Sequence, residues 1–290
     1  MFGYILLIIN ATLVIANTAL CSLLICIVAL FKMLSPTAPL KRQTTALANK
    51  IMWLWATVNA ILLTLSNRPS WQITGGDDLS QKGWYLMMSN HRSWTDIVVL
   101  CCVFKDRIPM PKFFMKHQLL YIPLMGMACW AIGMPFMRRY SREYLIRHPE
   151  KRGQDLETTR RACEQFKHTP TTVVNYVEGT RYRVEKAQGS PFQHLLPPKS
   201  GGIAYTLAAM AGQFDAILDV TLAYPDNVKH PFKDMLMGRM KRIVVDIKVL
   251  PVDERVNGDY FNDKPYKRGF QKWLNQRWEE KDKQLDNWYK

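Results

Sequence analysis

The sequence predicts an α/β fold, a mixed, mostly parallel sheet flanked by helices, preceded by an N-terminal membrane-anchoring helical segment. Two observations carry this. Residues 1 to 31 contain no charged side chain. From Trp71 onward, short apolar strand-like runs alternate with helix-length segments, the order that packs helices onto a sheet. With 290 residues there is room for one large domain and an accessory element. The expected division is an anchor over 1–70 and a cytoplasmic domain over 71–290 that ends in an amphipathic helix.

The anchor comes first. The apolar run Tyr4 to Phe31 is 28 residues long, more than the roughly 20 that span a bilayer. A signal peptide does not fit: there is no basic leading region, the run is too long, and no small-residue cleavage pattern closes it. A break follows at Ser35-Pro36-Thr37-Ala38-Pro39, then Lys41 and Arg42. A second run, Ile51 to Leu65, has 15 residues. It reads as a shorter helix that enters one leaflet or lies at the interface, with Trp53 and Trp55 at headgroup depth. The first 70 residues hold five basic side chains (Lys32, Lys41, Arg42, Lys50, Arg68) and no acid. Basic residues after the first span place the rest of the chain on the cytoplasmic side.

Strands are expected at Trp84–Ser89, Phe113–Met115, Met134–Met137, Thr171–Val177, Ala216–Ala223 and Ile243–Leu250. Helices fit at Trp94–Phe104, Leu119–Ala131, Gln154–Lys167, Lys199–Ala211 and Tyr266–Trp288. Gly189 to Pro198 reads as a loop, with Pro191, Pro197 and Pro198 as breakers. In the last helix Phe270, Trp273, Leu274 and Trp278 form an apolar stripe, expected to pack on the domain. No repeat or low-complexity tract is evident.

Composition narrows the partners. Lys and Arg number 39 against 24 Asp and Glu, a formal charge of +15. That favours anionic partners such as phospholipid surfaces or phosphorylated substrates. There is no zinc-ligand spacing, no RNA-recognition signature and no Lys/Arg block of five or more, so nucleic acid is not expected as a partner. Cys21, Cys26, Cys101, Cys102, Cys129 and Cys163 lie in apolar or helical surroundings without CxxC spacing. They read as buried, reduced thiols.

The most informative stretch is Asn90-His91-Arg92-Ser93-Trp94-Thr95-Asp96, which directly follows a strand-like run. On a straight helix, residues five apart point away from each other. His91 and Asp96 meet only if the backbone bends between them. Ser93 supplies the bend as the N-cap of a helix starting near Trp94. A carboxylate on one ring nitrogen then fixes the tautomer and leaves the other nitrogen free as a base. Alone, the spacing reads first as a structural histidine.

Two further segments end in cations. Thr171 to Val177 leads into Glu178-Gly179-Thr180-Arg181, a strand followed by a polar turn, where sites in α/β sheets are found. Gly179 permits close backbone approach to a ligand, and Arg181 can fork two hydrogen bonds to a phosphate. Gly133 to Met137 runs into Arg138 and Arg139. Taken singly, either arginine cluster reads equally as a solvated face.

Together these segments resemble the glycerolipid acyltransferase superfamily, whose best-known members are the 1-acylglycerol-3-phosphate acyltransferases. Its first block, Asn-His-x4-Asp, is matched by Asn90, His91 and Asp96. Lys116, Pro123, Gly126, Gly133 and Arg139 fit the second block in order. The third reads Tyr176-Val177-Glu178-Gly179-Thr180-Arg181, with Val177 where the family usually has proline. Val220 to Pro225 looks like the fourth block in the branch related to lysocardiolipin acyltransferases, and Leu195 to Gly201 suits that branch too. The resemblance runs from about Trp71 to Leu250, and the whole looks especially like a bacterial inner-membrane paralogue.

The resemblance implies transfer of a fatty acyl group from a thioester to a lysophospholipid hydroxyl, most simply 1-acylglycerol-3-phosphate. Lysophosphatidylglycerol or lysocardiolipin are alternative acceptors, and a non-catalytic lipid-binding protein is the remote one. His91 would act as general base and Asp96 would orient it. Arg139 and Arg181 would hold the acceptor phosphate, with Arg138 a second anion contact. Glu178 and Gly179 would shape the acceptor site, Lys116 and Thr180 would be further substrate contacts, and backbone amides near Gly179 are candidates for the oxyanion donor. No bound cofactor and no metal are expected. The donor would be acyl-CoA or an acyl-acyl-carrier protein, and the partners the bilayer, the acceptor and that donor. The expected location is a bacterial inner membrane, with the catalytic domain facing the cytoplasm.

Overall fold

The computed structural model describes residues 1–137, 142–148, 154–164, 166–210 and 212–290. Two long helices come first, α1 (Phe2–Leu34) and α2 (Ala38–Asn67). Ser35, Pro36 and Thr37 separate them. Pro39 lies in the first turn of α2, where a missing N–H costs nothing. Both helices are long and apolar enough to cross a membrane by length and composition. With 30 residues, α2 corrects the shorter helix expected over 51–65. Hydropathy sees only its apolar part, yet Lys41, Arg42 and Lys50 continue a helix nearly as well as Leu does.

The helices form an antiparallel hairpin. Asn17 Nδ2 donates to Trp55 O (3.1 Å), Trp55 Nε1 to Thr18 Oγ1 (3.0 Å) and Ser66 Oγ to Asn10 Oδ1 (2.9 Å). The hairpin rests lengthwise on the rest of the chain. Towards one end, Asn10 Nδ2 donates to Leu236 O and Asn67 Nδ2 to Met235 O, both at 2.9 Å. Towards the other, Lys112 Nζ donates to Asn49 Oδ1 at 2.8 Å. The outward faces stay apolar and exposed at residues such as Ile8, Ile15, Leu30, Leu54 and Leu65.

The remaining elements follow in order: β1 (Ser70–Gly75), β2 (Tyr85–Ser89), α3 (Thr95–Phe104), β3 (Pro111–Phe113), β4 (Met115–Lys116), a 3-10 turn (His117–Tyr121), α4 (Met125–Ala131) and β5 (Phe136–Met137). Then come α5 (Arg142–Arg147), α6 (Gln154–Glu164), β6 (Thr172–Tyr176), α7 (Val184–Ala187), α8 (Ser200–Met210), β7 (Ala216–Ala223), α9 (Pro231–Leu236), β8 (Arg242–Leu250) and α10 (Lys264–Tyr289). The main sheet has the order β1-β8-β7-β2-β6-β3. Only the β7/β8 pair is antiparallel. This is the expected mixed, mostly parallel sheet. β4 and β5 form a separate parallel pair.

Strand alternation builds two cores. Tyr85 and Met87 of β2 face one, shared with Val99 of α3, Ala128 of α4, Met235 of α9 and the hairpin. Leu86 and Met88 face the other, shared with Ile203 of α8 and Phe270, Leu274 and Trp278 of α10. The α10 stripe thus packs on the domain as expected. Lys281 follows it into the interior, where its Nζ meets Asp219 Oδ1 at 2.6 Å.

Several elements differ from expectation. β1 was not foreseen: it is a mostly exposed edge strand without an apolar run. The run Phe113–Met115 divides at Phe114 between two sheets, and Met134–Met137 shrinks to the two residues of β5. The helix expected over Leu119–Ala131 breaks around Pro123, which lacks an N–H and disfavours helical backbone before it. Gly126 then fits where a Cβ would lie 2.1 Å from the Leu120 carbonyl oxygen. α5, α7 and α9 are too short for periodicity to reveal them. All six cysteines are free, but Cys26, Cys102 and Cys129 are half-buried rather than buried.

Lys112 also donates to Ile132 O at 2.7 Å. Burial pushes its ammonium down to about 7 from an ordinary 10.5, and Lys32 adds to the shift. The unfolded chain therefore binds more protons between pH 7 and 10.5, so this group makes stability rise with pH across that window. Thermal unfolding of wild type and Lys112→Met at pH 7 and pH 9 should show the rise in wild type and a weaker one in the variant.

Candidate active site

β2 lies at the middle of the sheet, and the site forms at its C-terminal end. Asn90 follows the strand and acts as a backbone mimic. Its Nδ2 donates to Leu222 O (2.9 Å) and its Oδ1 accepts from Leu222 N (2.8 Å), tying the bend to β7. The chain then turns. α3 starts at Thr95, one residue later than expected, so Trp94 rather than Ser93 is its N-cap; Ser93 still holds the bend, its Oγ accepting the Thr95 N–H at 3.2 Å.

The turn brings His91 and Asp96 together, with Nδ1 and Oδ2 2.7 Å apart. The same Oδ2 accepts the N–H groups of Arg92 (2.7 Å) and Ser93 (2.9 Å), and Oδ1 accepts the Tyr224 hydroxyl (2.8 Å). Asp96 is fully buried and is held on both oxygens, so it cannot swing away from the imidazole. The His91 ring stacks on Tyr176, centroids 3.9 Å apart and planes 12° from parallel. Burial, reinforced by the Asp96 charge, keeps the Tyr176 and Tyr224 phenols well above their usual range, so both stay neutral. With Nδ1 on the carboxylate and the ring fixed, Nε2 is the nitrogen that can take a proton.

Sequence reasoning gave Tyr176 and Tyr224 no role, although both stand in quoted motifs. The signal for Tyr224 is its place one residue past β7, beside the strand that carries the histidine. That adjacency belongs to the sheet order, which the sequence does not display.

The second turn follows β6. Gly179 adopts φ 72°, backbone that favours glycine. Its N–H donates to Tyr176 O at 2.8 Å, so that amide is engaged within the turn. Glu178 is 1% exposed, and the backbone amides of His91 and Leu196 face its carboxyl. Burial pushes its carboxyl well above the ordinary range. The Arg92 charge and the amides of His91 and Leu196 oppose this, while Asp96 adds to it. Arg181 is half-buried with its guanidinium 4.7 Å from the centroid of the Trp94 ring. Arg92 is nearly buried, over the Tyr182 ring at 4.3 Å. Lys116 is exposed on β4. Arg138 and Arg139 lie outside the described residues.

His91, Trp94, Tyr176, Gly179, Thr180, Arg181 and Lys116 line one cavity of about 820 Å³. Its deeper walls are apolar. They come from the hairpin (Val14, Ile25, Trp55, Leu63), from α4 (Met125, Ala128) and from α9 (Met235, Leu236). One end thus holds an imidazole and a guanidinium, and the other is greasy. Among the described residues, no group of three or more His, Cys, Asp or Glu could hold a metal ion. The arrangement has the chemistry to deprotonate a hydroxyl beside a guanidinium, with room for a long apolar chain in the cavity.

A family model described as Acyltransferase matches residues 70–225. Lysocardiolipin acyltransferase 1 of Gallus gallus is 24% identical over 276 residues, covering 89% of this chain and 68% of that protein. 1-acyl-sn-glycerol-3-phosphate acyltransferase delta of Homo sapiens is 23% identical over 191 residues, covering 62% and 46%. Among solved structures, the 1-acyl-sn-glycerophosphate (LPA) acyltransferase of Thermotoga maritima aligns with a TM-score of 0.49 and 15% identity, over 93% of this chain and 95% of that one. The chain spans about two thirds of the length of the lysocardiolipin acyltransferases it matches.

Proposed function

From the premise that this chain belongs to the Acyltransferase family, we propose that it transfers a fatty acyl group from a thioester to the free hydroxyl of a lysophospholipid at a membrane. The observation that carries this is the His91–Asp96 pair at the polar end of an apolar cavity, with Arg181 beside it. We place 1-acylglycerol-3-phosphate first among acceptors. The second reading, a lysolipid with a larger headgroup such as lysocardiolipin, is supported by the names of the relatives matched over most of the chain.

In this reading His91 Nε2 takes the acceptor hydroxyl proton as the oxygen attacks the thioester carbonyl. A new C–O bond forms, the C–S bond breaks, and the departing thiolate receives the proton. Asp96 stabilises the imidazolium formed in between. The acyl chain lies in the apolar cavity. Arg181, levelled by Trp94, binds the acceptor phosphate and so sets the hydroxyl near Nε2.

We assign residues 1–70 to membrane attachment and 71–290 to catalysis. The hairpin lines the cavity, so a chain entering from lipid reaches His91 without crossing water. We also propose a cytoplasmic active site on a bacterial inner membrane: the hairpin lies along the domain, with Asn49 against Lys112, so its basic turn (Lys32, Lys41, Arg42) is on the domain's side.

The test is an acyl-transfer assay with acyl-CoA and a panel of lysolipids, read by mass spectrometry. Product from 1-acylglycerol-3-phosphate supports the first acceptor, and product only from lysocardiolipin or lysophosphatidylglycerol supports the second. Arg181→Ala should raise the acceptor KM about 10-fold or more, the worth of a charge-assisted contact, with a smaller effect on kcat. An unchanged acceptor KM would remove the phosphate role.

A further inference from the structure

The Glu178–Thr180 turn has a second face. Behind it lies a polar cleft of about 600 Å³, lined by Lys116, Gln118, Glu178, Lys186 and Lys199 among others. The three lysines are exposed and are gathered on one concavity. Lys186 Nζ donates to Thr180 Oγ1 at 2.7 Å, which pins one ammonium to the turn. Glu178 adds a buried carboxyl faced by the backbone amides of His91 and Leu196. A carboxyl keeps acceptor capacity beyond two amides, which a ligand with O–H or N–H donors would use. The lining therefore calls for a molecule with an anionic group for the lysines and donors for Glu178.

The cleft joins the apolar cavity. Lys116, Met137, Gly179, Thr180 and Lys186 line both spaces, whereas His91 and Arg181 line only the cavity. One molecule with an apolar chain and a phosphate-bearing polar arm fits across the junction. We propose that the cleft binds the phosphate of the thioester donor through Lys186 and Lys199, with the amide and hydroxyl groups of its pantetheine arm at Glu178. This rests on the acyl-transfer reading above. There Arg181 takes the acceptor phosphate on the cavity side, so the donor is the phosphate-bearing substrate left for the lysines. Its thioester then lies at the shared turn, next to His91.

The experiment uses the full chain in lipid–detergent micelles with 1-acylglycerol-3-phosphate. Two donors carry the same acyl group: acyl-CoA and acyl-pantetheine, which has no phosphate. For the double variant Lys186→Ala, Lys199→Ala, the acyl-CoA KM should rise about 10-fold, two charge-assisted contacts discounted for their exposure. The acceptor KM should move much less, and the KM for acyl-pantetheine should rise far less than that for acyl-CoA. Lys186→Arg should retain most of the acyl-CoA affinity. An unchanged acyl-CoA KM overturns the proposal, as does a rise in the acceptor KM alone or an equal rise with acyl-pantetheine. Failure of wild type to acylate any lysolipid would instead remove the underlying reading.

Discussion

His91→Ala is expected to lower kcat by about 10²–10⁴, the usual worth of a positioned general base. The protein should still fold. The imidazole is at the cavity surface, and its loss removes one contact from Asp96 while the Arg92 and Ser93 amides and the Tyr224 hydroxyl remain. No buried charge is orphaned. The measurement is single-turnover acyl transfer, with circular dichroism and thermal unfolding to confirm the fold. Wild-type turnover in a folded variant would end the general-base assignment.

Asp96→Asn should be nearly as damaging, by a different route. An asparagine has one acceptor oxygen and one NH₂ group. Placed with its oxygen towards the Arg92 and Ser93 amides, it presents NH₂ to Tyr224, whose hydroxyl can turn and accept. The hydrogen bonds survive, so the melting temperature should change little. The negative charge beside His91 does not survive. The imidazolium formed during attack loses its stabilising partner, and kcat should fall roughly 10²–10⁴-fold. The split between a small stability change and a large rate change is the diagnostic. A variant within tenfold of wild type would mean that Asp96 only orients the ring.

The sequence made most of this site visible because its chemistry is local. His91 and Asp96 lie on one short segment, and Glu178 to Arg181 on another. Strands buried on both faces, such as β7, read clearly as apolar runs. β1 did not, because an exposed edge carries no such run. The full length of α2 was hidden because apolarity and helicity are different properties. The deeper omission concerns the braces. Nothing in Tyr224 or Leu222 says that β7 will lie beside β2, so the groups that hold Asn90 and Asp96 emerge only from the strand order. The polar cleft is of the same kind: Lys116, Lys186 and Lys199 are far apart in the chain and meet only across the turn.

The Asn90 and Asp96 braces reach across 132 and 128 residues, and this has a consequence for when the enzyme becomes active. A growing chain that has emerged only as far as β6 carries the histidine and aspartate but lacks the partner for the Asn90 amide and for Asp96 Oδ1. Contacts of such separation close late, because the entropy of a long loop must be overcome first. The braces around His91 and Asp96 are therefore expected among the last contacts to form, complete only once β7 has inserted beside β2.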